Sequence, residues 1–102
     1  MNIYRQGDFL FKGIAKLPNN LKKQNNKIVG YGEMTGHTHR FEGNQVVDIL
    51  LANDGLRYLN VLEPATIIHE EHDPIIILPG SYEIINEREY NYADKEMQKV
   101  VD

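Results

Sequence analysis

Short apolar runs, cut by a turn signal about every eight to twelve residues, constrain this chain more than any other feature. A helix would need apolar positions recurring at three- and four-residue spacing, and that period is nearly absent. IYRQGDFLFKGI (3–14) is a strand pattern broken at Gly7. LPNNLKKQNN (17–26) reads as a polar loop in which Pro18 bars regular ladder pairing. KIVGYGEM (27–34) resumes as a strand whose Gly30 and Gly32 predict a bulge or a close backbone approach. From residue 37 the pattern is a meander. HTHRFE leads to Gly43-Asn44, a predicted tight hairpin, and QVVDILLA (45–52) ends at Asn53-Asp54-Gly55, a stronger hairpin signal. In LRYLNVLE (56–63), Leu59 and Val61 face one way and Tyr58 and Asn60 the other. After Pro64, the runs ATIIH, IIIL and SYEIINE are separated by Asp-Pro and Pro-Gly turns, and YADKEMQKVV fits either a helical turn or a last strand. Seven or eight short strands without interleaved helices predict an all-β fold, a small single-domain antiparallel barrel or sandwich over residues 1–102.

Charge and residue usage narrow the function classes. At 102 residues the chain suits one domain with one core. Its formal charge is -4, and its only basic cluster is Lys22, Lys23 and Lys27, so no basic stripe is present to displace counterions from phosphates. Long nucleic acid is therefore an unlikely partner, whereas a small anionic molecule or a nucleotide is compatible. No run approaches the roughly 20 apolar residues of a membrane span, and MNIYRQGDFLF lacks a basic region followed by an apolar one. With no cysteine there is neither a disulfide framework nor a thiolate metal site, which suits a cytoplasmic protein.

All four histidines fall in two clusters, GHTHRFEG (36–43) and IIHEEHDP (67–74). In a strand His37 and His39 project from the same face, a spacing that lets two imidazoles reach one ion at a Zn–N distance of about 2.0–2.1 Å. His69 and His72 are three apart, which suits a turn before Asp73-Pro74. If the two segments neighbour each other, three or four imidazoles and a carboxylate from Glu70, Glu71 or Glu42 converge. Two histidines with a carboxylate suit Fe(II), and three with an open position suit Zn(II), so the expected cofactor is a divalent metal, Zn, Fe, Mn or Ni. A solvated cross-strand pair is the alternative for His-x-His, and a solvated turn for the acids of HEEH.

A second chemistry needs no metal. Imidazoles titrating near pH 6.5 can act as acid and base around a phosphodiester, as in an RNase. In that setting, or in a binding module for a nucleotide-like anion, Arg40, Arg88 or Lys27 would meet the phosphate. Tyr58, Tyr82 or Tyr90 would stack on a base. Each tyrosine is equally a core or interface residue, Tyr90 and Tyr92 could cover a sheet edge in a homo-oligomer, and Arg88 between Glu87 and Glu89 is equally a surface ion pair.

GYGEMTGHTHRFEG followed by ILPGSYEI resembles the two motifs of cupins. That resemblance implies His37, His39 and Glu42 as first-motif ligands and Pro79-Gly80 as the second-motif turn. Glu42 comes one residue early for that pattern, and Glu83 stands where the second-motif histidine belongs. Taken together, RQGD, GEMTGHTH, HEEHDPIIILPGSYEI, REY and VVD resemble an uncharacterised family of small bacterial and phage proteins, which implies one coherent domain and no mechanism.

Overall fold

A computed structural model of the chain describes residues 2–31 and 36–87. Ten strands build it: β1 (Ile3–Gln6), β2 (Phe9–Ile14), β3 (Lys22–Lys23), β4 (Ile28–Tyr31), β5 (Thr38–Phe41), β6 (Val47–Leu51), β7 (Arg57–Val61), β8 (Ala65–Ile68), β9 (Ile75–Ile77) and β10 (Gly80–Asn86). They form two antiparallel sheets, a six-stranded one ordered β1-β2-β10-β7-β6-β3 and a four-stranded one ordered β4-β5-β8-β9. The architecture is an open sandwich and not a closed barrel. Successive strand pairs alternate between the sheets, and β10 returns to lie between β2 and β7.

Period-two patterning sets the core. In β2, Phe9, Phe11 and Gly13 turn inward, and Leu10, Lys12 and Ile14 turn away. Phe41, Val47, Ile49, Leu59, Val61, Ala65, Ile67, Ile77, Tyr82 and Ile84 meet them from both sheets. Tyr82 belongs to this core, its hydroxyl donating to the Leu78 carbonyl at 2.5 Å, whereas Tyr58 lies next to Leu59 on the opposite face of β7.

The glycines explain two local features. Gly7 turns β1 into β2 with φ +59°, a left-handed conformation that glycine adopts without a steric penalty. The ladder of β4 with β5 slips between Ile28 and Gly30, and a Cβ on Gly30 would stand 2.0 Å from Cζ of Phe9. At Gly30 both a bulge and a close approach occur, and Gly32 lies outside the described residues.

One turn departs from the sequence reading. Asn53-Asp54-Gly55 does make the β6–β7 hairpin, with Gly55 at φ +90° donating to Ala52 at 3.0 Å. Gly43-Asn44 makes no hairpin: the Gln45 amide donates to Glu42 at 3.1 Å, and the chain passes from β5 in one sheet to β6 in the other. Neither residue has positive φ, so the turn lacks the twist that folds a strand back on its neighbour. Both flanks of β5 are already occupied, by β4 and β8. The polar loop at 17–26 also yields a short strand, β3, which pairs Lys22 and Lys23 with Leu51 and Leu50 at the edge. The YADKEMQKVV segment lies outside the described residues.

Candidate metal centre

Strand register brings the two histidine clusters together. β5 and β8 run antiparallel with Arg40 opposite Ile68 and Phe41 opposite Ile67. Continuing that pairing sets His39 across from His69, Thr38 across from Glu70 and His37 across from Glu71, and the side chains meet accordingly. The His39 and His69 rings lie 4.2 Å apart between centroids. The Thr38 amide donates to Glu70 Oε1 at 3.0 Å, and His37 Nδ1 pairs with Glu71 Oε1 at 3.1 Å. His72, at the far side of the 69–73 turn, comes back to within 4.6 Å of the His69 ring and 5.6 Å of the His39 ring.

All four histidines thus gather at one end of the sandwich. His39, on the inward face of β5, is only 5 % exposed and packs edge-on against Phe9 at 4.9 Å. Two groups of potential ligating atoms result, each within 4.8 Å of one another: His39, His69 and His72, and His37, His69 and Glu70. His69 belongs to both.

Gln6 is not among the residues that the histidine motifs singled out. This residue ends β1 on its inward face, is 3 % exposed, and spends both amide hydrogens on backbone carbonyls, of Ile67 and of Asp73, at 3.0 Å each. Its Oε1 must therefore accept at 2.9 Å from His39 Nδ1, which fixes the protonated nitrogen of that ring and leaves Nε2 as the one with a lone pair. A buried amide next to Gly7 was the available signal, since Tyr4 and Gln6 share the inward face of β1. Gly7 itself underlies the cluster: a Cβ there would come 2.8 Å from His72 Nε2 and 3.0 Å from His39 Cε1.

The surroundings of His39 and His69 disfavour their charged forms. Burial, followed by the neighbouring His69 and His72, pushes His39 down to about 4, and burial with His72 lowers His69 as well. His69 Nδ1 accepts from the Glu71 amide at 3.0 Å, so its proton sits on Nε2. Glu70 is held down to about 2 by its own and the Thr38 backbone N–H groups and by Arg40. Neutral imidazoles and ionised carboxylates are the protonation states that metal ions require of their ligands.

The remaining candidates lie elsewhere or on the rim. Arg40 donates to Glu70 Oε2 at 2.7 Å and to the Thr38 carbonyl and hydroxyl at 3.0 Å each, tying β5 to the 69–73 turn. Tyr58 and Tyr82 are strand residues of the six-stranded sheet, and the ring contact of Tyr82 is with Tyr4 at 5.8 Å. Glu42 follows the opposite end of β5 and joins neither group. Glu83 pairs with Tyr58 and Lys12 in the six-stranded sheet. Arg88 and Tyr90 lie outside the described residues.

A protein-family model described as a domain of unknown function (DUF8820) matches residues 5–87. Neither curated proteins nor solved structures give a significant match. Among the described residues no helix is long and apolar enough to cross a membrane.

Proposed function

This chain belongs to the DUF8820 family, and from that premise, which assigns no activity, we propose that it binds one divalent cation through His39, His69 and His72. The observation that carries this reading is a three-imidazole group whose buried member is held by Gln6 with its Nε2 turned to ligate. Ideal tetrahedral zinc would bring ligating nitrogens to about 3.4 Å from one another, so ligands within 4.8 Å need only small ring movements to close on an ion. An all-nitrogen set of three favours Zn(II) over the harder Mg(II) or Ca(II), and leaves a fourth position for water or a small anion. Gln6 would serve as the outer partner that metal-ligating histidines usually have.

The test is metal content by mass spectrometry on untagged protein purified without chelators, beside His69→Ala. The expected result is near one equivalent of Zn, Fe, Mn or Ni in the parent and none in the variant. A parent protein that carries no metal and takes up none on titration sinks the reading.

A further inference from the structure

The second group, His37, His69 and Glu70, has no buried member, whereas the first reaches inward to His39, packed against Phe9. We propose that it is an outer position for the same cation, used in alternation with the inner one, so that the ion is captured by His37 and Glu70 and handed inward through His69. The proposal rests on the metal-binding reading above.

Three observations lead to it. First, each group gathers its potential ligating atoms within 4.8 Å, and His69 is the member common to both. Second, neutral His69 has a single lone-pair nitrogen, Nδ1, which accepts from the Glu71 amide at 3.0 Å, so the ring can ligate one ion and only by giving up that bond. One nitrogen serves one ion, so the two positions compete and do not fill together. Third, the outer ligands are already oriented. Glu71 Oε1 holds His37 Nδ1 at 3.1 Å, the carboxylate–histidine pairing that fixes a ligand ring. The Glu70 carboxylate accepts from Thr38, from Arg40 and from its own amide, and of the about four lone-pair sites on its two oxygens one remains for a metal.

The direction of transfer follows from burial. The inner position includes His39, 5 % exposed and held by Gln6 through Nδ1, whereas no ligand of the outer position is buried. The inner site is therefore the resting place and the outer one the weaker, accessible stage.

The experiment is a Co(II) titration, followed by visible absorption and by stopped-flow uptake, on the parent, His37→Ala, His72→Ala and the double variant, with circular dichroism to confirm that each is folded. The parent should take one equivalent. His37→Ala should also take one at nearly parental affinity but more slowly. His72→Ala should still take one, bound about tenfold or more weakly, with an absorption spectrum altered by a carboxylate ligand. The double variant should take none. Two equivalents in the parent, parental uptake rates in His37→Ala, or a folded His72→Ala that binds no cobalt would each overturn the proposal while leaving the inner site intact. A parent that binds no cobalt at all removes both readings.

Discussion

Gln6 does more for the site than any residue except the histidines, through three hydrogen bonds that join β1 to β5, to β8 and to the 69–73 turn. Replacing it with alanine leaves two carbonyls and one imidazole N–H without their partner. The expected outcome is a loss of about 10–100-fold in metal affinity, read by competition with a chromophoric chelator. Should Gln6→Ala bind metal as the parent does, Gln6 is no orienting partner. His39 gives the metal-free protein a pH dependence of definite sign. Its folded value of about 4 lies below the ordinary value of 6.5, so the unfolded chain binds the proton more readily. Stability is then fully present above about pH 6.5 and drains away as pH falls towards 4, by about 3 kcal/mol at most for a shift of this size. Urea unfolding in EDTA between pH 7.5 and 4.5 measures it, and His39→Gln should flatten the profile. Glu70 stays ionised through that window, its own loss of stabilisation beginning only as pH falls through the ordinary carboxylate range towards 2.

At the scale of elements, two glycines set how closely neighbours approach. Gly30 in β4 accommodates the ring of Phe9, and a methyl group 2.0 Å from Phe9 Cζ cannot fit without moving a core aromatic. Gly30→Ala should cost about 1–3 kcal/mol of stability by chemical unfolding, the usual cost of overpacking. Gly7→Ala places a Cβ against His72 Nε2 and His39 Cε1 from a backbone at φ +59°. It should weaken stability by about 1–2 kcal/mol from the backbone alone, and lower metal affinity besides, which separates it from Gly30→Ala. Strands and turns of this kind were legible in the sequence where local chemistry decided them. Asn53-Asp54-Gly55 signalled its hairpin because the positive φ of Gly55 is a property of the residue. Gly43-Asn44 misled because the choice between folding back and changing sheet lay with the strands already flanking β5.

For the whole molecule, a cation bound only by the folded state should raise stability by mass action. At a free concentration about a hundredfold above Kd the gain is about 2.7 kcal/mol, or roughly 10–20 °C in Tm for a domain near 100 residues. A thermal melt with Zn(II) and again with EDTA checks it, and identical melts would count against any cation site in the folded protein. The local pattern of residues was enough to make the chain all-β, because period-two patterning and turn residues act over a few neighbours. It also determined which imidazoles were available, since histidine occurs at four positions and in two clusters. It did not determine that those clusters share a site. That was decided by the register of β5 against β8, which aligns 39 with 69 and 37 with 71, and by the β1–β2 turn that delivers Gln6 from more than sixty residues away in the chain. Register and sheet order are set by which faces bury together across the core, a balance of long-range contacts that no short stretch of residues contains.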